Sequence, residues 1–154
     1  MEQCETETSD RSTRQNNSRS MSRSVLIVNE HPAVRKMLIS LINEEPEVDV
    51  CFEADNIEVA YKTLEKQAVD FALVDISSNP RKGTRCAELL KLRCPMLPVM
   101  AVSTCPKAAI GTKPQDSMST EQAESILSAI RYIQSLLKCG LLGFTVFVKA
   151  ENNL

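Results

Sequence analysis

Three short apolar segments, each followed by polar residues, set the strongest constraint on how this chain can fold. The segments are Val25–Val28, Phe71–Ile76 and Val99–Val102, and Asp75 is the one charged residue within them. Runs of this length and composition are typical of strands buried on both faces. Segments with helical spacing separate them, so we expect a parallel sheet with helices on both sides, a doubly wound α/β fold.

The segments between the strands supply the remaining elements. A first helix is predicted after Pro32, because proline is tolerated in the first helical turn. A second strand is predicted at Val48–Phe52, with a second helix after it. The stretch Ser77–Gly83 is rich in turn formers, so we expect a loop there and a third helix capped by Thr84. The apolar residues at helical spacing in the first helix are Val34, Met37, Leu38, Leu41 and Ile42.

Composition limits the class of protein. Residues 1–23 are polar and predict a disordered tail ahead of a single domain over 24–154. The net charge of −2 comes without a basic stripe, which argues against direct contact with nucleic acid. No apolar run approaches the ~18 residues needed to cross a membrane. The six cysteines form no C-x-x-C pair, which favours reduced thiols and a soluble cytoplasmic protein.

Polar side chains follow three of the predicted strands. Glu30, Asp75 and Ser103 fall at the carboxyl ends of their strands. Ligands bind beyond this edge in open, doubly wound sheets. No G-x-G-x-x-G or P-loop follows any strand, which argues against an unrelated nucleotide-binding enzyme.

The order of these motifs resembles the receiver domain of bacterial two-component response regulators, nearest the LuxR-type branch but without its DNA-binding domain. The matching segments are V-L-I-V-N-E-H-P-A-V-R, E-A-D-N-I-E-V-A, D-F-A-L-V-D-I and L-P-V-M-A-V-S, with Gly83 eight residues past Asp75. They cover about residues 24–104. The resemblance implies a flavodoxin-like fold whose C-terminal third is atypical or truncated.

The resemblance also implies roles for individual residues. Asp75 would accept a phosphoryl group from a histidine kinase or phosphotransfer protein, and Ser103 would be the switch hydroxyl. Glu30, Asp75 and the backbone carbonyl of Ser77 would bind Mg²⁺, with Asn29 acting weakly through a water molecule. These roles imply a signalling protein rather than an enzyme.

Two departures from the family pattern leave a second function open. Asn29 stands where the family has an acid, and Glu30 is one methylene longer than the usual aspartate, although Mg²⁺ is strict about ligand distances. The main hypothesis is a stand-alone receiver that accepts phosphate and signals through protein contacts. The alternative is a degenerate pseudo-receiver that acts as a phosphorylation-independent interaction module.

The C-terminal third allows two arrangements. In the first, residues 105–119 are an inserted loop, a helix spans about Thr120–Lys138, and a fifth strand ends at Lys149, the phosphoryl-binding lysine. In the second, Lys113 takes that role and the same helix is the family's fifth. We favour the first because its motifs match over more residues. It lacks a fifth helix and leaves apolar sheet exposed, which predicts a homodimer or a protein effector as partner.

Overall fold

The computed structural model describes residues 22–77, 79–103 and 120–149, which form one parallel sheet with helices on both faces. The predicted fold class is confirmed. The sheet has five strands in the order β2-β1-β3-β4-β5. In chain order, the elements are β1 Arg23–Val28, α1 Pro32–Ile42, β2 Val48–Ala54, α2 Ile57–Lys66, β3 Phe71–Asp75, α3 Pro80–Arg93, β4 Val99–Ser103, α4 Thr120–Lys138 and β5 Thr145–Lys149.

The central strands are the apolar segments of the sequence. Strand β3 is buried along its whole length and lies between β1 and β4. Val28 of β1 is paired in register with Val74 of β3. The next residues of the two segments, Asn29 and Asp75, therefore lie at the same level at this edge of the sheet, because parallel strands advance by equal steps.

Alternating side chains divide the core into two layers. On one face, Ile27, Leu73 and Met100 pack with residues of α1 and α4. On the other, Leu26, Val74 and Val99 pack with residues of α2 and α3. This two-sided burial explains why residues 25–28, 71–74 and 99–102 of the central strands are apolar at every position.

Helix α4 lies on an unexpected face of the sheet. The connections β2–β3, β3–β4 and β4–β5 all run in the same direction across the sheet. The helices of the first two connections, α2 and α3, lie on one face of the sheet. A right-handed crossover from β4 to β5 would place α4 on that face too. Instead, Ile126 and Ile130 of α4 pack beside Leu38 of α1.

The C-terminal elements follow the order of the first arrangement. Helix α4 spans the predicted residues, and β5 follows it, parallel to β4 and ending at Lys149. The predicted inserted loop and Lys113 lie outside the described residues, as does nearly all of the predicted tail. Strand β1 begins at Arg23, one residue before the predicted domain boundary.

Helix α3 begins earlier than expected. The prediction that Thr84 caps it is wrong, because the side chain of Asn79 accepts a hydrogen bond from Lys82 N at 3.1 Å and caps a helix that starts at Pro80. Asparagine is as good a cap as threonine, and proline fits the first helical turn. Residues 80–83, predicted as loop, form the first turn of α3.

Several large apolar side chains remain exposed on the α2/α3 side of the sheet. Val146 and Val148 of β5 pack toward α1 and α4, so Phe147 points to the opposite side, where 67% of it is exposed. Gly143 N donates to Met96 O at 3.1 Å, which holds the α4–β5 turn against the α3–β4 turn. The α3–β5 apolar surface comprises Leu92, Met96, Leu141, Leu142 and Phe147.

The helices and cysteines of the described residues can be assessed for membrane spans and disulfides. No helix among them is both long enough and apolar enough to span a bilayer. The four cysteines in the described ranges, Cys51, Cys86, Cys94 and Cys139, are free thiols.

Gly83 allows α3 to approach the end of β3 closely. A Cβ atom at this position would lie 2.7 Å from Ile76 Cγ2 and 2.8 Å from Ile76 Cα. We expect Gly83→Ala to lower the free energy of unfolding by about 1 to 2 kcal/mol, because overpacking outweighs the higher helix propensity of alanine. Urea unfolding measures the change.

Glu88→Ala, at an exposed position of the same helix, is the matched control for helix propensity. If Gly83→Ala were as stable as the wild type, the close packing at Ile76 would not constrain the fold.

Candidate functional site

Asn29 and Asp75 form a buried polar pair at the carboxyl edge of the sheet. Asn29 is 5% exposed and Asp75 is 7% exposed. Asn29 Nδ2 donates a hydrogen bond to Asp75 Oδ2 at 2.8 Å. Their neighbouring strands β1 and β3 place them together. Asn29 contacts Asp75 directly, whereas the sequence analysis assigned it only a water-mediated role toward a metal.

The other oxygen of Asp75 is also occupied. Ser77 donates to Asp75 Oδ1 from its backbone N at 2.9 Å and from its side-chain Oγ at 2.6 Å. His31 N donates to Asn29 Oδ1 at 2.7 Å, which fixes the amide so that its NH₂ group faces Asp75. Both carboxylate oxygens therefore accept hydrogen bonds from uncharged donors of the chain itself.

Burial dominates the protonation behaviour of Asp75. Loss of solvent raises the pKa of its carboxyl group, and hydrogen bonds from Ser77 and Asn29, together with the nearby His31, oppose that rise without cancelling it. A carboxyl group with a raised pKa is a stronger base and nucleophile than an exposed aspartate. This is the kind of perturbation often found at functional sites.

Glu30 lies at the rim of the site and faces a lysine. Its Oε2 atom accepts a hydrogen bond from Lys82 Nζ at 2.8 Å, and its Oε1 atom lies 3.6 Å from His31 Nε2. The bond and the charge of Lys82 lower the pKa of Glu30. Sequence reasoning missed Lys82, because a lysine in a polar segment carries no pattern that marks it as part of a site.

A groove of about 380 Å³ opens above these side chains. Asp75 and Asn29 line it, together with the start of α2 and the N-terminal part of α3. Carboxylates outnumber basic groups in its lining. The charged residues that line it are Glu30, Asp55, Glu58, Asp75, Lys82 and Arg85.

Comparison with known families identifies the chain. The family model described as "response regulator receiver domain" matches residues 25–115, which is more than half of the sequence. The chain belongs to the response regulator receiver family. The match includes β1 through β4 and the groove around Asp75, and the family supports a phosphoacceptor signalling role.

The curated relatives are much longer than this receiver. The protein-glutamate methylesterase/protein-glutamine glutaminases of Pyrococcus horikoshii and Pyrococcus abyssi are each 28% identical over 109 residues, covering 70% of this chain. The aligned region is 26% of each relative. The chain thus spans about a quarter of the length of these curated relatives.

Solved structures share the fold. A two-component response regulator of the LuxR family from Aurantimonas superposes with a TM-score of 0.58 at 18% identity, covering 74% of this chain and 86% of that chain. The response regulator domain of CheB from Thermotoga maritima gives a TM-score of 0.55 at 21% identity, covering 76% of this chain and 97% of that chain.

Receiver domains generally bind Mg²⁺ at the phosphorylation site, but the side chains of this receiver do not fit the ion as they are arranged. Asn29 presents its NH₂ group rather than its oxygen to Asp75. Glu30 is paired with Lys82. Within the described residues, no group of three or more His, Cys, Asp or Glu side chains is placed to share a metal ion. Mg²⁺ requires several oxygen ligands in near-octahedral geometry.

Ser103 and Lys149 lie together but apart from the buried pair. They are register partners at the ends of β4 and β5. The partner of Asp75 on β4 is Val102, and successive side chains of a strand point to opposite faces. Ser103 therefore projects from the other face. Neither residue forms a hydrogen bond or ion pair with Asp75 in the described part of the chain, so their roles stay predictions.

Because the pKa of Asp75 is raised in the folded chain, the free energy of unfolding should depend on pH. Below its ordinary value of 3.8, the carboxyl is protonated in the folded and unfolded chains alike. Above it, the unfolded chain releases the proton first, so folding is increasingly disfavoured as the pH rises through the folded-state pKa. We expect the stability of the wild type relative to Asp75→Asn to fall over this range, as measured by urea unfolding at a series of pH values.

Asp49→Asn, at an exposed position of β2, controls for the loss of one negative charge. A difference between the wild type and Asp75→Asn that moved in favour of the wild type with rising pH would contradict the assigned burial cost.

Proposed function

We propose that this receiver accepts a phosphoryl group on Asp75 from a histidine kinase or phosphotransfer protein and signals through contacts with other proteins in the cytoplasm. The observation that carries the proposal is the placement of Asp75. It is the one buried acid in the lining of the groove, at the carboxyl end of the central strand β3, and its pKa is raised.

The residues present suggest which oxygen reacts. Oδ1 accepts two hydrogen bonds from Ser77, whereas Oδ2 accepts one from Asn29. Oδ2 therefore keeps more of its lone-pair density and acts as the nucleophile. It attacks the phosphorus of the donor, a new O–P bond forms, and the bond from phosphorus to the donor breaks with its electron pair leaving on the donor.

The groove supplies groups that would hold the phosphoryl oxygens once they are in place. The Asn29 NH₂ group is already beside Oδ2, and the Lys82 ammonium is at the rim. Hydrogen-bond donors and cations aimed at developing negative charge lower the barrier to phosphoryl transfer. Ser103 projects from the other face of the sheet, so Ser103 and Lys149 would act as switch hydroxyl and phosphoryl-binding cation only after the ends of β4 and β5 rearrange.

A second function is favoured by a specific observation. Asp75 has hydrogen bonds to both oxygens, and Glu30 has a cation partner, so both carboxylates have partners within the chain itself. A receiver in this state could act as a phosphorylation-independent interaction module. The two functions differ in whether Asp75 reacts at all.

Intact-mass measurement after incubation with a small acyl phosphate separates them. We expect the wild type to gain the mass of one phosphoryl group and Asp75→Asn to gain none, because the amide of asparagine is not a nucleophile. Asp49→Asn should gain the same mass as the wild type.

If the wild type shows no gain with acyl phosphate or with a phosphorylated histidine donor, with or without Mg²⁺, the interaction module is the better function. A gain that persists in Asp75→Asn would place the phosphoryl group on another residue and contradict the assignment of Asp75.

The α3–β5 apolar surface is the proposed contact surface for self-association. Five large apolar side chains of α3, β5 and the turns before β4 and β5 are exposed, and exposed apolar surface commonly marks a protein contact. We expect a concentration-dependent rise in mass by light scattering after size-exclusion chromatography. Phe147→Ser should weaken it by roughly tenfold, in line with the ~1–2 kcal/mol typical of one aromatic contact.

Tyr132→Ser is the matched control, because Tyr132 is 56% exposed on α4, on the other side of the sheet. A wild type that stays monomeric at high concentration would argue against self-association through this surface.

A further inference from the structure

Glu30, which the sequence analysis assigned to Mg²⁺, is already paired with a cation of the chain itself, Lys82. We infer that Lys82 is a built-in counter-charge that excludes Mg²⁺ from the Asp75 groove. Lys82 Nζ lies 2.8 Å from Glu30 Oε2 across the mouth of the groove. The inference concerns the same site as the proposed function, but it holds whether or not Asp75 is phosphorylated.

The backbone of Lys82 is held in place by two features of α3. Its N–H group donates to the side chain of the N-cap residue Asn79 at 3.1 Å. The following residue, Gly83, packs so closely on Ile76 that even a methyl group would clash. The first turn of α3 is therefore held next to the end of β3, which keeps the base of the lysine side chain within reach of Glu30.

Among the residues that the structure describes, the carboxylate of Asp75 accepts hydrogen bonds from uncharged donors only. Asn29 and Ser77 contribute three hydrogen bonds to its carboxylate. A carboxylate that accepts several N–H and O–H bonds needs less stabilisation from a cation than one without them. Two carboxylates were assigned to Mg²⁺ from the sequence. Of these, Asp75 accepts hydrogen bonds from neutral donors, and Glu30 is paired with Lys82.

Entry of Mg²⁺ would have to undo this arrangement. Glu30 would have to leave Lys82, and Asn29 would have to turn its NH₂ group away from Asp75 and give up the hydrogen bond from His31 N. The ion would also meet the positive charge of Lys82 at short range. Removal of Lys82 removes both the need to break the Glu30 ion pair and the repulsion between Lys82 and Mg²⁺. The cost of turning the Asn29 side chain remains.

The test is a titration of the full ¹⁵N-labelled chain with MgCl₂ in the absence of any phosphoryl donor, followed by the amide shifts of residues 29–31 and 75–77. We expect Lys82→Met to bind Mg²⁺ roughly tenfold more tightly than the wild type, as estimated for loss of one partly screened like charge. Arg81→Met, one residue away and outside the groove lining, should bind as the wild type does.

The same comparison in the Asn29→Asp background gives a measurable affinity even if the native background binds too weakly to titrate. Tightening by Lys82→Met in that background supports the inference. Equal affinity with and without Lys82 in that background overturns it, as does equal saturable binding to the wild type and to Lys82→Met. None of these readouts depends on phosphorylation, so failure of the proposed function and failure of this inference are distinguishable.

Discussion

The hydrogen bond between Asn29 and Asp75 depends on the register of β1 and β3, and the organisation of the site follows from it. Because Val28 and Val74 are paired, the next residue of each chain segment, Asn29 and Asp75, lies at the same level of the sheet. The two side chains meet at 2.8 Å, and both are largely buried. A shift of one residue in either strand would point one of them to the opposite face. The apolar faces of both strands, packed on helices on each side, hold the register.

Much of this arrangement could be read from the sequence, because strand ends are marked by a change from apolar to polar residues. Asp75 stands out since it follows four apolar residues, and Asn29 follows a similar run. The sequence did not reveal the contacts that long side chains make across the site. Lys82 is separated from Glu30 by 52 residues, and no local pattern links a flexible lysine to a distant carboxylate. The hydrogen bonds from the backbone N–H and the hydroxyl of Ser77 to Asp75 were also missed, because the sequence analysis assigned Ser77 only a backbone carbonyl toward a metal.

Helical segments showed a different limit. Apolar spacing predicted the bounds of α4, since an amphipathic helix of 19 residues gives a strong periodic signal. Periodicity says that one side of a helix is buried but not against which face of the sheet. The start of α3 was misplaced because Asn79 and Thr84 are both acceptable caps. Only packing against Ile76 and the cap bond to Lys82 distinguish them.

The unusual position of α4 changes how an event at Asp75 would travel through the molecule. Ile76 N donates to Val102 O at 2.8 Å, so the residue after Asp75 is bonded to β4. The side chain of Val102 belongs to the same packed layer as Ile126 and Ile130. Helix α4 is in turn joined to the α1–β2 turn by ion pairs from Arg131 to Glu45 and from Lys138 to Glu47. A continuous series of contacts therefore links Asp75 through β4 to helix α4, and from α4 to the C-terminal end of α1.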